Sequence, residues 1–150
     1  MAFLRRITTG VVSHFGMRVS EWAMIWPCAA MGFALNVQRD MFDTSPSFAK
    51  LAGWLDEPEW AFLALICAIV RLAALTVNGT FASFPYSPHI RIAASFLSGW
   101  FWFQFTAGFA SAALAGSGAW SAVCAYSTLL ILEAVNVYRS SKDLTRLNAG

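Results

Sequence analysis

Apolar residues run through the chain in four long blocks separated by short polar breaks. A helix that crosses a bilayer needs about 20 mostly apolar residues. The blocks predict spans over Ser20–Val37, Glu57–Asn78, Pro88–Ala115 and Ala119–Tyr138. Pro27 lies inside the first and is expected to kink it near its start, because proline removes a helix hydrogen bond. The third is long enough to tilt. The fold class that follows is all-α: a polytopic membrane protein with four transmembrane helices in a compact bundle and short interfacial helices.

The breaks carry end signals. Ser20 can cap the first span, and Asp56 with Glu59 makes an acidic capping box around Pro58. Gly79 reads as a stop for the second span, and Pro88 suits the opening turn of the third. Gly116, Ser117 and Gly118 leave room only for a tight hairpin between the last two spans. Trp22, Trp60 and Trp120 fall at span ends, where indoles prefer the headgroup level. Between the first two spans, Phe48, Leu51, Ala52 and Leu55 recur at helical spacing and predict a short helix lying on the outer membrane surface. Residues 1–19 predict a similar interfacial segment, with Phe3, Leu4, Ile7, Val11 and Phe15 towards lipid. Polar residues interrupt any cleavable leader there, so the first span is expected to be a signal-anchor. Residues 139–150 are expected to form a tail.

Composition agrees. The 150 residues are 58% hydrophobic and only 12% charged, against about 25% charged in a soluble domain. Basic residues set the orientation. Arg5, Arg6, Arg18, Arg91, Arg139, Lys142 and Arg146 fall on one side, against Arg39 and Lys50 on the other. The positive-inside rule then expects both termini in the cytoplasm. The net charge of +2 gives no basic stripe for nucleic acid. Cys28, Cys67 and Cys124 are spaced like packing residues, not like a disulfide framework or a zinc site. No metal and no cofactor is expected. His14 and His89, the only histidines, lie outside the spans, and no nucleophile elbow or P-loop is present. Enzymatic activity is not expected.

Ionisable groups deep in a span are costly and are by default site candidates. Arg71 and Glu133 both sit roughly 8–11 Å from the inner end of their spans at 1.5 Å per residue. Equal depth and opposite sign predict an Arg71–Glu133 pair between the second and fourth spans. Asn78 and Asn136, on the same faces, are expected to extend it into a network, and Gln104 is a further interhelical hydrogen-bonding candidate. The pair serves either as a lock on the bundle or as part of a proton or ion relay. Glu21 reads as an ordinary first-turn acid near water. Gly108, Ala112 and Gly116 form a small-residue face that lets another helix approach closely, while Trp100 to Phe105 offer an aromatic girdle to lipid or to a second copy.

Several stretches resemble a group of small four-span membrane proteins of tailed phages and prophages of proteobacteria. They are Met17-Arg18-Val19-Ser20-Glu21-Trp22, the Met41-Phe42-Asp43-Thr44-Ser45-Pro46-Ser47-Phe48 loop, Arg71-Leu72-Ala73-Ala74-Leu75 with Asn78-Gly79-Thr80-Phe81, Tyr86-Ser87-Pro88-His89, and Gly118-Ala119-Trp120-Ser121. The resemblance implies a phage-type source and carries no mechanism. With the small size it favours a non-enzymatic protein that self-assembles in the membrane, as a holin-like permeabiliser or a superinfection-exclusion factor. The partners expected are the lipid bilayer and further copies of the chain, or another membrane protein. The alternatives are an accessory subunit of a larger membrane complex and a small proton-coupled transporter using Glu133 or Glu21.

Overall fold

The computed structural model describes residues 15–80, 84 and 86–148, and every regular element among them is helical. In chain order these are a 3-10 turn over Gly16–Arg18, α1 Val19–Ala23, α2 Ile25–Val37, α3 Met41–Thr44, a 3-10 turn over Pro46–Phe48, α4 Ala49–Ala52, α5 Glu57–Thr80, α6 Ser87–Leu114 and α7 Trp120–Asn148. Two of the helices, α5 over Glu57–Thr80 and α7 over Trp120–Arg146, are long and apolar enough to cross a membrane. The interfacial segment expected over residues 1–19 lies mostly outside the described residues.

The first apolar block divides at Met24, between α1 and α2. Pro27 accounts for the division, because it has no N–H to donate to the carbonyl of Ala23. Helix α2 packs on α5, α5 on α6 and α6 on α7, and α1 touches both α5 and α7. The close α2–α5 approach depends on Gly32: a Cβ there would lie 2.7 Å from the Leu65 side chain and 3.0 Å from the Ala61 carbonyl. The α6–α7 hairpin turns on Gly116, at φ +80°, the left-handed region that favours glycine. Its N–H bonds to Ala113 O at 3.1 Å and that of Ser117 to Ala112 O at 2.9 Å, the paired bonds of a glycine-terminated helix end.

Two boundaries differ from expectation. Helix α5 runs one residue past Gly79, to Thr80. Helix α7 continues without a break to Asn148, so residues 139–148 are its last turns. Burial of Ser140 and the bond from Arg91 to Asp143 hold those turns against the bundle.

The segment between α2 and α5 also departs from the surface helix predicted for it. It folds back over one end of the bundle. Leu51 is fully buried against Gly108, where a Cβ would come within 3.0 Å of it. Phe48 meets Phe109 edge-on at 4.9 Å and stacks with Phe42 at 5.0 Å. The backbone N–H of Phe42 donates to the buried Glu57 carboxylate, and the N–H of Asp56 donates to Glu59 Oε2 at 3.0 Å, one half of the capping box. Beneath this cover the core is aromatic. Trp60, Phe101, Trp102 and Phe105 are buried, with Tyr126 across from them on α7. The Trp60 indole N–H donates to Leu51 O at 3.2 Å inside the protein.

Candidate functional site

Away from the aromatic end, the core becomes charged. Arg71 on α5 and Glu133 on α7 meet at 2.5 Å, with side chains 2% and 1% exposed. Ser98 of α6 lies beside them. Its hydroxyl accepts from Arg71 Nη2 at 3.1 Å and donates to Ala94 O at 2.9 Å. Asn136, one turn beyond Glu133, donates to Glu133 Oε2 at 3.4 Å. Its own Oδ1 accepts from Ser20 Oγ at 2.8 Å, and Ser20 Oγ accepts from Arg139 at 3.1 Å. The polar chain Arg71, Glu133, Asn136, Ser20 and Arg139 thus links α5, α7 and α1. Gly99 faces Glu133, with room for a Cβ only at 3.4 Å. Glu133 Oε1, Arg71 Nε and Ser95 Oγ are buried with no hydrogen-bond partner among the described residues. Glu133 and Ser95 also line an apolar groove of about 430 Å³ between α6 and α7, walled by Phe96, Trp100 and Phe103.

A second buried pair lies nearer the end of the bundle. Arg91 Nε and Nη2 donate to the two carboxylate oxygens of Glu21 at 2.8 and 2.5 Å, the bidentate geometry of a strong guanidinium–carboxylate contact. Arg91 Nη1 donates to Asp143 Oδ2 at 2.8 Å. Arg18 lies 3.9 Å from the same oxygen. Glu21 is therefore not the water-facing acid expected of a first turn: its side chain and that of Arg91 are each 2% exposed. The signal that pairs Arg71 with Glu133, opposite charges at equal depth, was also present for Glu21 and Arg91. It was masked because both sit within a turn of a predicted span end.

The remaining sequence candidates divide. Asn136 joins the Arg71–Glu133 centre. Asn78 does not: it accepts from the Ser87 hydroxyl and ties the end of α5 to the start of α6. Gln104 is half-buried on α6 and takes no part in either charged centre. Gly108 and Ala112 are buried, Gly108 under Leu51 of the folded-back segment, while Gly116 is exposed in the hairpin. Cys28 and Cys67 are buried, whereas Cys124 is exposed. His89 stands beside Tyr86 with ring centroids 6.0 Å apart, and His14 lies outside the described residues.

A water-open cavity of about 370 Å³ sits above the second pair, lined by Arg18, Arg91, Arg139, Lys142, Asp143 and Arg146. Burial, and then the neighbouring Arg91 guanidinium, hold the Arg18 pKa below its ordinary value. Chemically, the two centres are paired guanidinium and carboxylate groups. Such groups can lock helices together or hold an anion. Comparison with protein-family models, curated proteins and solved structures found no match for the chain.

Proposed function

We propose that the chain is a non-enzymatic protein of the bacterial inner membrane, crossing four times with both termini in the cytoplasm, that acts by assembling with further copies of itself. A phage-type permeabiliser or superinfection-exclusion factor is the role this describes. The observation that carries the reading is the state of α7. Its most apolar stretch is only 11% buried inside the chain, against 44% for α5, so most of an apolar helix is left for lipid or for a second copy. Ile131, Val135 and Tyr138 are exposed on it.

Lengths support two further crossings. Residues 19–37 extend about 28 Å across the Met24 kink and α6 about 42 Å, at 1.5 Å per residue. Both present large exposed apolar side chains outward, including Trp26 and Phe33 on α2 and Phe96, Phe103 and Leu114 on α6. The aromatic core favours assembly over a relay inside one chain. The charged centres stop at the ring stack of Trp60, Phe101 and Phe105, and both candidate relay carboxylates are held by arginines.

Cys124 supplies the test, because it is exposed on α7 while Cys28 and Cys67 are buried. Oxidation in intact membranes is expected to give a Cys124-dependent dimer, lost in Cys124→Ser. Regulated expression with a membrane-potential dye is expected to collapse the potential for wild type and Cys124→Ser, and not for Arg71→Ala. Monomers under oxidation together with an undisturbed potential would remove the assembling reading in favour of an accessory subunit.

A further inference from the structure

The cavity at the charged end brings five cationic side chains, Arg18, Arg91, Arg139, Lys142 and Arg146, around one acid, Asp143. Counting Glu21, which binds Arg91 from below, two carboxylates among the described residues face the four cations Arg18, Arg91, Lys142 and Arg146. The carboxylates are spent on Arg91: Glu21 takes its Nε and Nη2, and Asp143 takes its Nη1. Arg18 reaches Asp143 only at 3.9 Å, and its Nη1 is buried with no hydrogen-bond partner among the described residues. Lys142 is drawn over the Tyr138 ring, 4.7 Å from the centroid. Confined like charges of this kind repel at short range, and the repulsion is relieved by an anion seated among them.

We propose that this cavity is a binding site for a phosphate group, with Arg18, Lys142 and Arg146 as its ligands and Arg91 as its buried positive floor. Guanidinium forks match the tetrahedral oxygens of phosphate and bind them in pairs. The volume of about 370 Å³ admits a phosphodiester with its glycerol, more than a single small ion. The ligands come from the 3-10 turn before α1 and the last turns of α7, and the floor from the second turn of α6. On the four-span reading, on which this placement rests, all three lie at the inner headgroup level, where phosphodiesters of anionic lipids are concentrated. The fixed Glu21–Arg91–Asp143 frame makes the site a preformed one: Arg91 cannot swing away without breaking three hydrogen bonds.

The test uses the full chain purified in maltoside micelles, which carry no phosphate. Phosphatidylglycerol, an uncharged galactolipid and inorganic phosphate are added separately, and retention is read by native mass spectrometry and thermal shift. Wild type is expected to retain phosphatidylglycerol and not the galactolipid. Arg18→Gln, Lys142→Gln and Arg146→Gln are each expected to weaken retention roughly fivefold, and Arg39→Gln with Lys50→Gln to leave it unchanged. Stabilisation by inorganic phosphate, lost in the same three variants, would support the site and assign it to a soluble phosphate compound. Equal retention of the galactolipid, or equal losses in the Arg39 and Lys50 variant, overturns the proposal. Carbonate extraction of the chain from membranes separately overturns the four-span reading and leaves the inorganic phosphate arm intact.

Discussion

At one end of the bundle, two guanidinium–carboxylate pairs join α1, α5, α6 and α7. At the other, Trp60, Phe101, Phe105, Phe109 and Tyr126 fill the same cross-section, closed over by Phe48 and Leu51. Both ends are buried, yet they respond to change in different ways. Attraction between buried charges is directional and partner-specific, and a charge that loses its partner stays buried without compensation. Dispersion and apolar burial are shared among many neighbours, so the aromatic end answers to volume and tolerates loss of a polar atom. The charged end therefore fixes which helices meet and at what register. The aromatic end contributes cohesion.

The largest effect expected is at the Arg71–Glu133 pair. Glu133→Ala leaves Arg71 buried and unpaired and is expected to cost about 3–5 kcal/mol, read by denaturant unfolding in micelles. The double change Arg71→Met with Glu133→Leu is expected to recover most of that loss. If it stays as low as the single variant, the charged end is not held by pairing. Next comes the aromatic end: Leu51→Ala empties a fully buried position and is expected to cost about 2–4 kcal/mol. Leu51→Met should lose less than about 1.5 kcal/mol, because volume is conserved.

Smaller effects sharpen the contrast. Gly116→Ala forces a Cβ into φ +80° and is expected to cost about 1–2 kcal/mol, seen as a lowered Tm with the α6–α7 contact unchanged. Tyr126→Phe removes only a hydroxyl while the ring keeps its contacts with Trp102, Phe105 and Phe109. The expected change is below about 0.5 kcal/mol. A larger loss at Tyr126 than at Gly116 would show that the aromatic end also depends on a polar contact.

Much of the frame was legible in the chain. Apolar blocks gave the helices, Pro27 gave the break near Met24, and the Gly116-Ser117-Gly118 run gave the hairpin. The Arg71–Glu133 contact followed from equal depth and opposite sign. The second centre did not follow, for a local reason. Depth near a span end is uncertain by about a turn, and within that turn a charge passes from water to core. Asp143 was hidden in the same way, because Arg139, Lys142 and Arg146 around it read as the end of an apolar block while α7 continued beneath them. Leu51 and Phe48 have a helical pattern that serves a lipid surface or a protein surface equally well. Asn78 shares a face with Arg71, but a face allows several partners, and Ser87 lay closer.

Periodicity and composition by themselves determined that the chain is helical, apolar and broken just before Pro27 and at Gly116, because those properties depend on backbone chemistry and on transfer from water, both local to a residue. Which charges pair, where the segment between α2 and α5 lies, and which apolar faces remain uncovered were decided only by tertiary packing. These depend on the distance between residues far apart in sequence, such as the 70 positions separating Glu21 from Arg91. Only the assembled bundle sets that distance.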